Sequence, residues 1–256
     1  MPFPQKNDLL TAAERKEVAS LATAKGRRSL GCFMAEGTRC VLDSLPHFRL
    51  RRLYATAAWL AEHPHKEAVT VTAADIQRMS QQQSPQPVLA VFELPEVPEF
   101  RYDGQLTLAL DAVQDPGNLG TIIRLADWFG IAHIIAGPGT ADPFNPKVVQ
   151  ATMGALARVQ VHKVENLAES LSVIQAPVIG TFLDGKDLYK SDIPLEPRPV
   201  IVMGNEGNGI SAEVAEVVTD RIRIPSFPPG RATSESLNVA MATGIIVSEL
   251  SRRIYG

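Results

Sequence analysis

The pattern of hydrophobic and polar positions divides this chain into two regions of different character. Behind Thr11–Ala12–Ala13–Glu14, a capping-box arrangement, residues 9–30 predict a helix that closes near Gly26. The chain then turns at Gly31 into a short strand, Cys32–Phe33–Met34–Ala35–Glu36, with Gly37 at its turn and a helix to about Leu45. Strand patterns follow at Leu50–Ala55, Ala68–Val71 and Val88–Glu93, with a short helix over Thr72–Met79. These elements predict a small α/β unit over residues 1–95.

Leu94–Pro95–Glu96–Val97–Pro98–Glu99–Phe100 is rich in proline and acid and reads as a linker, assigned to residues 96–104. Beyond it the strands become continuous apolar runs. Leu106–Ala112, a helix over Asn118–Phe129 closed by Gly130, and Ile131–Ala136 form one βαβ unit. Pro146–Leu156 predicts a helix, Val159–Val164 a strand, Asn166–Gln175 a helix and Val178–Phe182 a strand. A strand at Arg221–Ile224 and a final helix from about Ser234 to Arg253 complete a second domain over residues 105–256.

One stretch of that domain organises the rest. Pro199–Val200–Ile201–Val202–Met203 has the composition of a parallel strand buried on both faces, and it empties into Gly204–Asn205–Glu206–Gly207–Asn208–Gly209–Ile210 before the helix signature Ser211–Ala212–Glu213–Val214. Open α/β sheets build ligand crevices at the carboxyl ends of such strands. Glycine lets the backbone approach a ligand closely, and Glu206 is the one fixed charge in the loop.

Composition narrows the picture. A chain of 256 residues with 45% hydrophobic side chains can bury a core without staples. Its net charge of −3 excludes a polycation, yet residues 1–60 hold 10 Lys/Arg against 5 Asp/Glu, a basic balance that suits phosphate contacts. Cys32 and Cys40 fit neither a disulfide framework nor a zinc set, and His63 and His65 lack accompanying ligands, so no metal is expected. His133 and His162 read as ordinary strand residues. With no signal-peptide core in Met1–Asp8 and no apolar run long enough to span a bilayer, the expected setting is the cytoplasm.

Two further stretches carry candidate chemistry. In Asp115–Pro116–Gly117–Asn118–Leu119–Gly120–Thr121–Ile122–Ile123–Arg124, Asn118 suits an N-cap, and a guanidinium at Arg124 suits recognition of phosphate. Ile224–Pro225 leads through a proline-glycine loop to Ser236–Leu237–Asn238–Val239–Ala240 and a small-residue helix, Ala240–Met241–Ala242–Thr243–Gly244, which predicts close packing. A dinucleotide-dependent dehydrogenase is disfavoured, because the later loop carries Gly204, Gly207 and Gly209 in the reverse of the G-x-G-x-x-G spacing. The phosphate-loop pattern is also absent.

In order, spacing and residue type over about 150 residues, these stretches resemble the three motifs of the SpoU (TrmH-like) branch of the SPOUT RNA ribose methyltransferases. The motifs are Asn118–Arg124, Gly204–Ile210, and Ile224–Pro225 followed by Ser236–Ala240; Pro143–Val149 and Met153–Gly154–Ala155 match the segment between the first two. The proline-rich Phe227–Arg231 is longer than in the shorter members. The resemblance implies a C-terminal α/β domain with a deep trefoil knot, S-adenosylmethionine as cofactor and a homodimer. Cofactor contacts would fall on Gly204, Ile224 and Leu237, with Asn205 and Gly209 in the same loop. Arg124 matches the family's catalytic arginine, and Asn118, Glu206, Ser236 and Asn238 its motif polar residues. Phe33–Gly37 resembles the strand-turn of a ribosomal-protein-like RNA-binding domain.

The implied reaction is 2′-O-methylation of a ribose in structured RNA, with Asn118 orienting Arg124 and Glu206 fixing the loop or the arginine. Ribosomal RNA is the favoured substrate and transfer RNA the second. Arg27, Arg28, Arg39, Arg49, Arg51 and Arg52 are the candidate phosphate contacts. A catalytically silent RNA-binding or ribosome-assembly protein is the competing reading, against which stand the intact Asn118, Arg124, Glu206 and Asn238.

Overall fold

A computed structural model of the chain describes residues 10–230, 232 and 234–256. Residues 1–9, Arg231 and Thr233, with the parts of the opening segment and the proline-rich loop assigned to them, lie outside the described residues. The first nine elements are α1 (Ala12–Ser20), α2 (Ala24–Leu30), β1 (Cys32–Glu36), α3 (Thr38–Ser44), β2 (Leu50–Ala55), α4 (Ala57–Glu62), β3 (Ala68–Thr70), α5 (Ala73–Met79) and β4 (Val88–Glu93). They are followed by β5 (Thr107–Leu110), α6 (Pro116–Trp128), β6 (His133–Ala136), α7 (Pro146–Thr152), β7 (Gln160–Lys163) and α8 (Leu167–Ser172). The chain closes with β8 (Val178–Asp187), β9 (Val200–Met203), α9 (Ala212–Val217), β10 (Asp220–Arg223) and α10 (Val239–Tyr255).

The chain divides into two compact units. The first takes Met1–Glu96 together with Asp142–Ala157, a segment that the sequence analysis kept in the second domain. Its sheet runs β1-β4-β2-β3, with β4 antiparallel to both β1 and β2 and β3 parallel to β2. Both faces of this sheet are covered. Met34, Tyr54, Leu89 and Val91 pack with Val18, Ile76 and Met79, while Phe33 meets the rings of Phe48, Phe92 and Phe144. Phe144 lies in the transferred segment, which is further tied by the ion pair of Arg27 with Asp142 at 2.6 Å. Those contacts explain the regrouping.

The single long helix expected from residue 9 is two helices. Thr23 caps α2 by accepting from the Gly26 amide, and a Cβ on Gly26 would lie 2.0 Å from the Ser20 carbonyl oxygen. Gly26 therefore serves a close crossing inside α2, and Gly31, at φ 61°, ends that helix instead. Helix α4 was not anticipated from the sequence; α7 stops earlier than expected, at Met153 in a left-handed conformation.

The second unit, Val97–Ala141 with Arg158–Gly256, holds a sheet in which every pairing is parallel, in the order β10-β8-β9-β5-β6-β7. Continuous apolar runs at β5 and β9 are what a strand covered on both faces requires, and both are buried throughout. Leu167, Leu171 and Val214 from α8 and α9 pack against Ala109, Val200 and Val202. The chain winds from β5 outward to β7 and then returns to the other side for β8, β9 and β10. The order reverses between β5 and β9, so the loops that follow these two strands leave the sheet side by side.

Candidate functional site

Three loops meet at the carboxyl ends of β5 and β9. Helix α6 begins earlier than the sequence suggests: Asp115 is its N-cap, accepting from the Asn118 amide at 2.8 Å, and Pro116 occupies its first turn. That correction matters for the chemistry, because it releases the Asn118 side chain. Its Nδ2 donates to Glu206 Oε1 at 2.9 Å, and its Oδ1 accepts from Asn238 Nδ2 at 2.9 Å. Asn238 is itself the N-cap of α10, where its Oδ1 accepts from the amides of Ala240 and Met241. The final helix thus starts at Val239 rather than near Ser234, leaving Ser236 and Leu237 in irregular chain ahead of it.

Glu206 also accepts from the backbone amides of Gln114 and Asp115, each at 3.3 Å. Burial acts to raise its pKa, but the Asn118 amide and the N–H groups of Glu206, Asp115 and Gln114 outweigh it. The carboxyl is held below the ordinary glutamate range and is ionised at neutral pH.

The loop after β9 is closed on itself. Asn205 and Gly209 exchange backbone hydrogen bonds at 2.8 and 3.0 Å, and Asn205 Oδ1 accepts from the amides of Gly207 and Asn208. A Cβ on Gly204 would stand 2.3 Å from the Gly209 carbonyl carbon, so glycine at this position is demanded by the loop's own return. Asn205 Nδ2 donates to the Ala112 carbonyl at 2.8 Å. Its side chain therefore builds the loop, and the cofactor contact expected of Asn205 would fall to its backbone. Gly209 has φ 71°, and a Cβ there would meet nothing within 4 Å.

The remaining candidates are not drawn into this network. Arg124 is exposed and makes no hydrogen bond or ion pair among the described residues. It follows Asn118 by six residues, about 240° around the helix, so the expected orientation of Arg124 by Asn118 is not made within this chain. Ser236 is exposed, Ile224 is half-buried just past β10, and Leu237 is 50% exposed, an unusual state for a large apolar side chain. Helix α10 packs on α6, where a Cβ on Gly244 would touch Leu125 at 3.4 Å.

Of the proposed phosphate contacts, Arg27 is withdrawn. It is 2% exposed, pairs with Asp142 and donates to the carbonyls of Leu21 and Ala22, because the end of α2 folds inward. Arg52 faces buried Glu14 at 3.3 Å, and Arg51 pairs with Glu93 at 3.0 Å. Arg28, Arg39 and Arg49 are exposed; Arg39 and Arg49 have only loose carboxylate neighbours at 3.7 and 3.5 Å.

The sequence also understated two histidines. His162 is buried, its Nδ1 on the Pro98 carbonyl and its Nε2 on His133 Nδ1, both at 3.0 Å. They border a depression of about 420 Å³ with Glu99, Arg101 and Gln160, at the amino ends of β6 and β7 and opposite the three loops. Among the described residues no cluster of His, Cys, Asp or Glu could hold a metal ion, and no helix is long and apolar enough to cross a membrane.

Comparison with known proteins agrees with the geometry. Residues 105–248 match the family model of the SpoU rRNA Methylase family, and residues 14–90 match the MRM3-like substrate binding domain. The 23S rRNA (guanosine(2553)-2'-O)-methyltransferase RlmP of Bacillus subtilis is 36% identical over 174 residues, 67% of each chain. A solved structure assigned to the TrmH family of RNA methyltransferases, from Porphyromonas gingivalis, is 47% identical with a TM-score of 0.86, covering 96% of this chain and 99% of that one. An AdoMet-bound rRNA methyltransferase from Sinorhizobium meliloti is 31% identical with a TM-score of 0.82, covering 97% of each.

Proposed function

The chain belongs to the SpoU rRNA methylase family, and on that premise we propose that it transfers a methyl group from S-adenosylmethionine to a ribose 2′-hydroxyl of ribosomal RNA. The observation that carries this reading is the hydrogen-bonded line Asn238–Asn118–Glu206, which ties the loops of all three motifs into one site at the switch point of a parallel sheet. A silent binding module would have no need of it. Ribosomal RNA is favoured over transfer RNA because both the RlmP relative and the Sinorhizobium meliloti structure are described as rRNA methyltransferases.

The residues present suit the cofactor. Ile224 and the half-exposed Leu237 offer apolar walls, and the open side of Gly209 leaves backbone accessible where a side chain would obstruct it. Together with Gly204 they would hold S-adenosylmethionine, which when bound supplies an electrophilic methyl group on a sulfonium. The chain's own contribution is alignment and charge. The Arg124 guanidinium makes no hydrogen bond or ion pair among the described residues, so it is available to the phosphate beside the target ribose and to negative charge developing on the 2′ oxygen. Asn118, held on both sides, fixes the floor of the site. Ser236, exposed next to Leu237, would contact the RNA.

We read the second unit as a deep trefoil knot, in which α10 passes through a loop so that the loops after β5, β9 and β10 share one pocket. The bond from the N-cap of α10 to Asn118 supports this. A homodimer belongs to the same reading, since the exposed Trp128 of α6 and Met241 of α10 offer apolar surface on two helices packed together. Residues 1–95 would recognise RNA, with Arg28, Arg39 and Arg49 as phosphate contacts, and the unit of Val97–Ala141 and Arg158–Gly256 would carry the transfer in the cytoplasm.

The test is transfer of labelled methyl to unmodified ribosomal and transfer RNA in separate reactions, followed by nucleoside analysis. Label recovered as a 2′-O-methyl nucleoside from ribosomal RNA, and lost in Arg124→Ala, is expected. Label on a base, or none on either RNA or on precursor ribosomal particles, overturns the proposal.

A further inference from the structure

The loop Gly204–Ile210 is held by more than the residues of the three motifs. At the end of β5 the ladder continues one step, Asp111 N–H donating to the Met203 carbonyl at 2.9 Å. The chain then swings into a left-handed conformation at Ala112, φ 56°, a state that costs a residue with a Cβ and persists only where surrounding structure enforces it. The swing turns the Ala112 carbonyl to accept from Asn205 Nδ2 at 2.8 Å, at the start of the loop. One residue earlier, Asp111 Oδ2 accepts from the Ser211 amide at 2.6 Å, at the loop's far end. Asp111 is 8% exposed, and no other hydrogen bond to its carboxylate is made among the described residues. Two consecutive residues of β5's exit therefore grip both ends of the β9 loop, while Glu206 at its middle is gripped by Gln114, Asp115 and Asn118.

We propose that Asp111, with the left-handed Ala112, is a positioning residue that sets the height and register of the cofactor-binding loop against Asn118. A carboxyl oxygen accepting from a part-buried amide makes a strong, directional bond. The two anchors leave the loop no freedom to slide along β5, and they place Gly204 and Gly209 before any ligand arrives. This rests on the assignment of S-adenosylmethionine to that loop, and the test separates the two.

The variants are Asp111→Leu, which removes the acceptor at similar volume, and Asp111→Asn, which keeps an acceptor oxygen. Leu171→Ala, in the core of the same unit, serves as a control of comparable destabilisation. Cofactor binding is measured by calorimetry, steady-state kinetics are split into kcat and the KM of each substrate, and exchange of the Ser211 amide is followed by nuclear magnetic resonance. Expected for Asp111→Leu are a KM and Kd for S-adenosylmethionine raised about tenfold, as loss of one hydrogen bond to a charged acceptor implies, and faster Ser211 exchange. The KM for RNA should be unchanged, Asp111→Asn should restore most of the affinity, and Leu171→Ala should leave the cofactor KM alone. Wild-type cofactor affinity in Asp111→Leu, or an equal loss in Leu171→Ala, overturns the proposal. Absence of cofactor binding by the wild-type protein overturns the cofactor assignment instead, and slow Ser211 exchange in Asp111→Leu would then refute the anchor by itself.

Discussion

Asn118 Nδ2 stands 2.9 Å from Glu206 Oε1, a contact that joins the first loop of the parallel sheet to a loop 88 residues further on. An amide is the right group between Glu206 and Asn238, because it donates on one side and accepts on the other. In Asn118→Asp a second carboxylate would face Glu206 and raise its pKa by like-charge repulsion. Methyl transfer should fall by about a hundredfold and the acid limb of the pH–rate profile should move to higher pH. In the wild type the depressed pKa of Glu206 gives a contribution that is present above the ordinary value of 4.5 and lost as pH falls through the lower folded value.

Arg124 lies outside that network, and its substitution should separate binding from chemistry. Arg124→Ala is expected to lower kcat by about a hundredfold or more while calorimetric affinity for S-adenosylmethionine stays within about twofold. Because no partner among the described residues is lost, its melting temperature should match the wild type.

Gly204→Ala should act in the opposite way. The added carbon would fall 2.3 Å from backbone that cannot retreat, so the loop must open. A stability loss of about 3 kcal/mol in denaturant titration is expected, with cofactor binding abolished.

Two arginines assigned together from the sequence should part company in experiment. Arg27→Ala breaks an inward-facing pair and should cost about 2–3 kcal/mol of stability in denaturant titration, discounted for the partial exposure of Asp142, with the salt dependence of RNA binding unchanged. Arg49→Ala should leave stability alone and reduce the slope of log K against log salt by about one unit.

His162 predicts a pH effect remote from the site. Burial lowers its pKa, the bond to Pro98 opposes this and the charge of His133 adds to it, so the folded form favours the neutral ring. The unfolded state binds the proton more readily; the stabilisation is complete above about 6.5 and is lost as pH falls through the folded pKa. His133 touches the ring directly, Asp103 lies 3.7 Å from His133, and Glu99 and Arg101 line the same depression. Comparing melting temperatures at pH 7.5 and 5.5, the drop should be smaller in His162→Leu than in the wild type.

What the sequence determined by itself is what local rules govern. Continuous apolar runs ending in glycine-rich turns marked β5 and β9 as buried parallel strands, and Asn118, Glu206 and Asn238 were legible as the polar residues of three short motifs. Pattern could also mark a basic N-terminal region, but not that Asp142–Ala157 joins it. Only the tertiary structure decided which of these residues meet. The N-cap fell on Asp115 because Pro116 suits the first helical turn, and this freed Asn118 to bridge loops 88 and 120 residues away in sequence. Arg27 and Arg49 carry the same charge in the same basic stretch, but the fold of α2 turned one inward and left the other exposed. The roles of Asp111 and Ala112 were invisible for the same reason: a hydrogen bond between distant loops exists only once the strand order has placed β5 beside β9, and no local periodicity encodes that adjacency.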